Sequence, residues 1–186
     1  LVGSEMCIRD SDKVYWEKGF FPAKPSDQPE WVKEVGFGRQ SVAITLENCY
    51  DDWCMSILAK ELNKEEDYQY YLKRALNYQN VFDTATGFMR PKTADGRWIE
   101  PFDPIWSGGQ GRREFYTENN GWNYTWYVPH DVEGLIGLMG GREKFTDKLQ
   151  TMFETNVPLY QKYDFLKQYP DMTGWIGMYS HGNEIT

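Results

Sequence analysis

The feature that most constrains the fold is an apolar period of three to four residues in the first third of the chain. Bulky apolar side chains recur at this spacing between positions 41 and 62, at Leu46, Tyr50, Trp53, Ile57 and Leu58. This spacing places side chains on one face of an α-helix. The period therefore predicts a helix over about 41–62 whose apolar face packs against another element.

Similar periods recur further along the chain. A second helix is predicted from Asn63 to about Asn80, and Asn63 with Glu66 has the spacing of a capping box. A third begins near Val132 and ends at Gly140-Gly141, because glycine is typical of helix ends. A fourth long helix follows this glycine pair and carries Phe145, Leu149, Met152 and Phe153. A short helical stretch is expected after it, around 158–168.

A long connection separates the two pairs of predicted helices. Residues 83–117 contain several proline and glycine breakers, yet also Phe88, Trp98, Phe102, Trp106 and Phe115. Connections longer than about 12–15 residues are usually functional or disordered, and the aromatic side chains favour a binding loop. No convincing strand alternation is present. The order helix, helix, aromatic loop, helix, helix predicts an all-α protein, as an α-solenoid or an α/α toroid.

Composition excludes several classes of function. The chain has 186 residues and a net charge of −8, which argues against a nucleic-acid surface. No apolar run approaches the roughly 18 residues of a membrane span. The two histidines lie far apart without a cysteine pair at ligand spacing, which argues against zinc. Aromatic residues reach 17%, and Trp and Tyr combine an apolar face with a polar tip that suits sugar binding.

The richest segment is TENNGWNYTWYVPHD, residues 117–131. A carboxyl group beside indole rings is partly desolvated, which raises its pKa, and Glu118 could then act as a general acid. Neighbouring amides could hold sugar hydroxyls while Trp122 stacks on a sugar face. The alternative is structural, with Asn119-Asn120-Gly121 as a turn and Trp122 in the core. His130 and Asp131 could contact substrate or could structure a helix start.

Two further polar groups are candidates for binding. Glu47, Asp51 and Asp52 form an acidic cluster next to Trp53, and Glu47 and Asp51 share one helix face. This cluster is either a solvated or capping surface, or it holds a cation or a partner helix. Near the end of the chain, His181-Gly182-Asn183-Glu184 offers oxygen ligands of the kind that Ca²⁺ prefers.

Four segments together resemble one enzyme family. Residues 117–141 resemble the signature of glycoside hydrolase family 92, the calcium-dependent exo-acting α-mannosidases. Residues 41–62, with their Thr-Leu-Glu and Asp-Asp-Trp elements, and residues 74–98 resemble the same family upstream. Residues 181–184 resemble the start of its His-Gly-Asn-Glu-Pro-Ser-His-His motif. The resemblance covers about residues 12–184.

The resemblance implies a fold, a reaction and a set of site residues. Family members have an N-terminal β-sandwich and a catalytic (α/α)6 toroid, and they remove terminal α-linked mannose from glycans with inversion. Secretion or a periplasmic location, without membrane insertion, is also implied. Calcium would contact the sugar hydroxyls. The roles fall on Glu118 as general acid, on Trp122, His130, Asp131 and His181 around the mannose, and on Glu184 and Asn120 as metal ligands.

Departures from the family pattern give further expectations. Residues 1–11 have no clear helical or strand period and are expected to be an adapter or translation artefact, which leaves 12–186 as a partial catalytic domain truncated at both ends. Gly121-Trp122-Asn123 stands where the family often has Ala-Trp-Gln. Ile185-Thr186 follows Glu184, and the Gly-Asn-Asp-Asp segment that carries the family's general base is absent. Inverting hydrolysis needs two carboxylates, so the chain alone is expected to be inactive. The alternative is a non-catalytic glycan-binding α/α module.

Overall fold

A computed structural model gives the architecture of most of the chain. The residues that it describes are 13–25, 28, 31–32, 37–38, 40–105, 115–117, 119–158, 168, 171 and 173–175. This part is mostly helical, as the apolar periods predict. Its helices are α1 (13–18), α2 (Ser41–Glu61), α3 (Glu65–Ala75), α4 (Gly121–Tyr124), α5 (Val132–Leu138) and α6 (Arg142–Glu154), and a 3₁₀ helix over Leu76–Val81 continues α3.

Within the described residues, three short antiparallel strand pairs accompany the helices, which corrects the expectation of no strands. They pair β1 (Trp31–Val32) with β2 (Phe37–Gly38), β3 (Phe82–Asp83) with β4 (Phe88–Met89), and β5 (Asn156–Pro158) with β6 (Thr173–Trp175). Strands of two or three residues are too short for apolar alternation to register in a sequence. The predicted helical stretch at 158–168 lies outside the described residues, apart from Pro158 in β5 and Gln168.

The long helix α2 is the centre of the packing, and α3 lies against it. The predicted bounds of α2 are confirmed, but the predicted face is only partly right. Leu46 is fully buried, whereas Ile57 and Leu58 are exposed, and the second half of α2 instead buries Asp52, Ser56 and Ala59. Small and polar side chains there make room for α3, whose Arg74 reaches the Asp52 carboxylate at 2.9 Å.

The predicted capping box at Asn63, between α2 and α3, is wrong. Asn63 has a left-handed backbone, φ 55°, whereas an N-cap residue is usually extended. Its N–H donates to the Lys60 carbonyl, and the N–H of Lys64 donates to the Ala59 carbonyl. These two bonds form a Schellman motif, so Asn63 ends α2 instead of starting α3. Lys64 is the N-cap of α3 and provides no side-chain cap.

The start of α2 is joined to the segment that precedes the aromatic motif. Gln40 precedes the helix in a left-handed conformation, φ 50°, and its side chain does not cap it. The N–H groups of Val42 and Ala43 instead donate to the Phe115 carbonyl, at 3.0 and 3.2 Å. The main core lies beneath this junction and includes the fully buried Val42, Leu46, Tyr78, Met89, Tyr116, Val128 and Leu135.

The last two long helices follow the prediction closely. Asp131 caps α5, and Gly140 ends it with φ 88°, a conformation that glycine adopts without strain. The helix α6 then runs from Arg142 to Glu154 with Met152 buried. Within the described residues, no helix is long and apolar enough to cross a membrane.

Candidate active site

The short helix α4 holds the centre of the aromatic motif in place. The Asn120 side chain is fully buried, and its Oδ1 accepts a hydrogen bond from the Asn123 N–H at 3.1 Å. Gly121 lies against Pro104 and Tyr116, so that an added Cβ would be 3.1 Å from the Tyr116 hydroxyl and 3.2 Å from Pro104 Cα. This close approach explains why glycine suits position 121, where the resembling family often has alanine.

A cleft of about 330 Å³ opens beside this helix. Glu47, Thr117, Asn119, Asn123, Tyr124 and Tyr127 line it. Glu118 itself lies outside the described residues, but both of its neighbours along the chain contribute to the cleft wall. Asn123 Oδ1 is buried and accepts a hydrogen bond from none of the described residues. We refer to this cleft as the motif cleft.

Glu47 is the residue of this cleft that the sequence did not place there. Desolvation raises the pKa of its carboxyl, the Asp51 carboxylate one turn away raises it further, and a hydrogen bond from the Tyr124 hydroxyl lowers it. Burial in turn raises the pKa of Tyr124 to about 12. The acidic cluster seen in the sequence is therefore divided, because Glu47 faces the motif cleft while Asp52 is buried against Arg74.

Trp122 lines a different cleft, of about 370 Å³, between the 84–87 turn and α6. Its ring meets Phe88 edge to face at 4.8 Å between centroids. The Lys148 ammonium lies 3.3 Å from the Phe88 ring centroid and 4.7 Å from that of Trp122. Burial lowers the pKa of Lys148 to about 8. The indole N–H of Trp122 is buried and meets no acceptor in the described part of the chain.

His130 and Asp131 lie together between the start of α5 and the end of α3. His130 Nε2 is 2.9 Å from the Ala75 carbonyl, so this nitrogen carries the proton and donates. The imidazole is surrounded by the rings of Tyr50, Trp53 and Tyr78, with centroids 5.8 to 6.4 Å away.

The Asp131 carboxylate has two partners in this region. It accepts the Gly134 N–H at 3.0 Å and the Tyr78 hydroxyl at 2.8 Å. Burial, and then this hydrogen bond, raise the pKa of Tyr78. These contacts agree with the alternative that His130 and Asp131 structure the start of a helix. Contact of either residue with mannose stays a prediction.

Of the predicted calcium ligands, only Asn120 lies within the described residues, so both calls stay predictions. Its Oδ1 accepts the Asn123 N–H and keeps a second lone pair, which is the kind of oxygen donor that Ca²⁺ prefers. Glu184 and His181 lie outside the described residues. Within the described ranges, no three His, Cys, Asp or Glu side chains come together as a metal site.

Comparison with known proteins identifies the family. A sequence profile described as "Glycosyl hydrolase family 92 catalytic domain" matches residues 5–186. The chain belongs to glycosyl hydrolase family 92. The match begins inside residues 1–11, so the expected artefact boundary at residue 11 stays a prediction. The family membership confirms the resemblance carried by residues 117–141 and the segments upstream of them.

Relatives of this family 92 chain include solved enzymes. The GH92 alpha-mannosidase BT3965 from Bacteroides thetaiotaomicron, in complex with mannoimidazole, is 36% identical with a TM-score of 0.69, covering 91% of this chain and 20% of that one. The inverting mannosidase BT2199 from the same organism is 35% identical with a TM-score of 0.65, and the match covers 83% of this chain and 19% of that one. An uncharacterized secreted glycosidase from Arthroderma benhamiae is 32% identical over 161 residues, covering 75% of this chain and 20% of the relative. The chain thus spans about a fifth of the length of these relatives.

Proposed function

We propose that this chain is part of the catalytic (α/α)6 toroid of an exo-acting α-mannosidase that removes terminal α-linked mannose from glycans with inversion. Two solved relatives support the substrate and the outcome, since one is an alpha-mannosidase complexed with mannoimidazole and another is an inverting mannosidase. The secreted fungal relative supports secretion. The whole protein's activity is part of this proposal, because the chain spans about a fifth of those relatives.

The observation that carries the proposal is the motif cleft around the two neighbours of Glu118. Tyrosine rings, a buried amide oxygen and a carboxyl with a raised pKa meet there, at Tyr124, Tyr127, Asn123 and Glu47. Rings can pack against the apolar face of a sugar, and the amide oxygen of Asn123 can hold one hydroxyl. Negative charge at Glu47 and Asp51 favours the protonated form of another carboxyl in the same cleft.

The proposed chemistry assigns Glu118 the role of general acid. A protonated carboxyl donates its proton to the glycosidic oxygen while the bond from that oxygen to the anomeric carbon breaks. Water attacks the anomeric carbon from the opposite face and loses its proton to a second carboxylate, about 6.5–9.5 Å from the first. The mannose product is released with inverted configuration, and the departing glycan keeps the proton from Glu118.

The test replaces Glu118 in the full-length enzyme. Glu118→Gln should lower kcat/KM on α-mannobiose by about 10²- to 10⁴-fold, because an amide cannot supply the proton. An activated aryl α-mannoside should lose far less, because its leaving group needs little protonation. Glu66→Gln, on the exposed side of α3, is the matched control and should leave both rates unchanged. Equal losses on the two substrates would contradict the general-acid assignment.

Several finer roles remain proposals alongside this one. Trp122, His130, Asp131 and His181 are proposed around the mannose, and Glu184 and Asn120 as ligands of calcium. A chelator should abolish mannose release by the full-length enzyme and added Ca²⁺ should restore it. Persistence of full activity in the chelator would contradict the calcium requirement. The expected inactivity of the 186-residue chain alone is checked by a mannose-release assay on the purified chain.

A further inference from the structure

Arg74, near the end of α3, is surrounded by three aromatic rings on the surface between α1 and α3. Its guanidinium carbon lies 4.2 Å from the ring centroid of Trp16, 5.2 Å from that of Tyr15 and 5.3 Å from that of Tyr70. Its Nε donates to Asp52 at 2.9 Å and its Nη1 to the Tyr70 hydroxyl at 3.0 Å. The third nitrogen, Nη2, donates to none of the described residues, which leaves a charged donor available.

The rings of Trp16 and Tyr70 form part of the wall of an open cleft of about 370 Å³. Trp16 is 62% exposed although one face of its indole is stacked on Arg74, and Tyr70 is 47% exposed. Asn77 and Lys73 add polar groups to the lining. An exposed indole with polar groups at its edge is the surface that amphipathic ligands use. No residue is shared with the motif cleft.

The cleft is held rigid by the close approach of α1 to the end of α3. Gly19 ends α1 with φ 75°, and a Cβ at this position would lie 2.6 Å from the side-chain amides of both Asn77 and Asn80. Asn80 Nδ2 approaches the Gly19 carbonyl at 3.4 Å, and the Lys18 ammonium donates to the Ala94 carbonyl at 2.6 Å. A wall that is fixed in advance loses little conformational freedom when a ligand binds.

We propose that this cleft is a glycan-binding site that holds one pyranose unit away from the motif cleft. A pyranose has an apolar C–H face, which can stack on the outer face of Trp16, and an edge of hydroxyls, which can accept from Arg74 Nη2 and bond to Asn77. The lining places the ammonium groups of Lys18 and Lys73 against one carboxylate, Glu17, so its charge accommodates an acidic sugar as well as a neutral one. A purely apolar ligand would leave the Arg74 donor unsatisfied.

The test follows the indole N–H signals of the 186-residue chain, labelled with ¹⁵N at its 8 tryptophans. Trp16→Phe assigns the Trp16 signal, and α-mannotriose and cellotriose are titrated as separate probes. The Trp16 signal should move saturably with at least one probe, and the probe that acts identifies the sugar configuration. Trp16→Ala and Tyr70→Ala each remove one of the two rings. Each should weaken sugar binding more than about tenfold, measured by titration of the remaining indole N–H signals or by calorimetry.

The matched control is Phe153→Ala, which removes another exposed aromatic ring, on α6. It should leave the affinity unchanged. The proposal is overturned if neither sugar moves the Trp16 signal, if binding survives both Trp16→Ala and Tyr70→Ala, or if Phe153→Ala weakens binding as much as they do. Far-UV circular dichroism checks each variant, and a loss of binding counts only for a variant that keeps the parent spectrum. Because the readout is binding, its failure leaves the proposed mannosidase activity standing.

Discussion

The Asp52 carboxylate and the Arg74 guanidinium form an ion pair between α2 and α3, with 2.9 Å between Oδ2 and Nε. Their side chains are only 7% and 16% exposed, and the Tyr15 hydroxyl donates to the same carboxylate oxygen at 3.1 Å. The pair thus joins three helices at one point. Removing one partner leaves the other charge buried without compensation, which is costly.

Asp52→Ala should therefore destabilise the chain by about 3–5 kcal/mol in urea unfolding. The matched control is Glu133→Ala, which breaks the exposed pair with Arg142, where the side chains are 73% and 71% exposed. An exposed pair contributes about 0–1 kcal/mol, so the control should have little effect. Similar losses for the two variants would contradict a structural role for the Asp52–Arg74 pair.

Asp131 offers a second test, which separates its two proposed roles. Asp131→Ala removes the cap of α5 and the acceptor of the buried Tyr78 hydroxyl, so it should cost about 2–3 kcal/mol in thermal or urea unfolding. Asp131→Asn keeps an acceptor and should cost less. Glu133→Ala, at the exposed start of the same helix, is the control. A loss of mannoside binding by Asp131→Asn at unchanged stability would support the substrate role instead.

Gly121 tests the close packing of α4 on Pro104. Gly121→Ala places a methyl group 3.2 Å from Pro104 Cα, which is backbone and cannot rotate away. Overpacking of this kind should lower stability by about 1–3 kcal/mol. Gly137→Ala is the control, since no atom lies within 4 Å of its added Cβ and alanine favours a helix. If Gly121→Ala equals or exceeds the parent in melting temperature, the packing argument is wrong.

Lys148 gives a prediction about pH. Burial lowers its pKa to about 8 in the folded chain, against about 10.5 when unfolded, so the unfolded state binds more protons between these values. The charged ammonium therefore destabilises the fold below about pH 8, and this penalty is relieved as the pH rises toward 10.5.

Lys148→Met should stabilise the chain at pH 7 by an amount of the order of 1 kcal/mol, since partial exposure and the ring contacts reduce the penalty. The gain should shrink when unfolding is measured at pH 9.5. Lys144→Met, which removes the lysine one turn earlier in the same cleft, is the control. A gain that is constant with pH would contradict the lowered pKa of Lys148.

Glu47 gives a prediction about catalysis in the full-length enzyme. Its negative charge in the motif cleft should raise the pKa of the general acid, so Glu47→Gln should move the alkaline limb of the pH profile of kcat/KM to lower pH. Glu61→Gln, at the exposed end of α2, should leave the profile in place. If the alkaline limb does not move in Glu47→Gln, Glu47 has no part in the proposed proton transfer.

The helices that the sequence predicted well are those whose limits depend on local chemistry. The bounds of α2, the presence of α6 after the glycine pair and the glycine end of α5 follow from spacing and from residues within one turn. The buried face of α2 was not predictable in the same way. Asp52 is buried because Arg74 meets it from 22 positions later, a contact that no local period contains.

In the candidate site, too, some residues were predictable from local sequence and others depend on contacts between distant residues. The density of polar and aromatic residues in 117–131 pointed to the motif cleft, but Glu47 joins that cleft from 70 positions earlier than Thr117. The sequence also left open whether His130 and Asp131 bind substrate or start a helix. Asp131 caps α5 through the nearby Gly134, but the other described partners, Ala75 and Tyr78, are more than 50 residues away, so spacing alone could not decide between the two.

The bonds from Val42 and Ala43 to the Phe115 carbonyl have a consequence for how the lining of the motif cleft could vary. They tie one wall of the motif cleft, which begins at Thr117, to the helix that provides Glu47 on the other wall. These two bonds use main-chain atoms only, while the Thr117 hydroxyl adds a side-chain bond to Gln40 Oε1 at 3.0 Å. Asn119, Asn123 and Tyr127 of the lining take no part in these bonds, so exchanging them would alter what the cleft contacts while the gap between its walls stays the same.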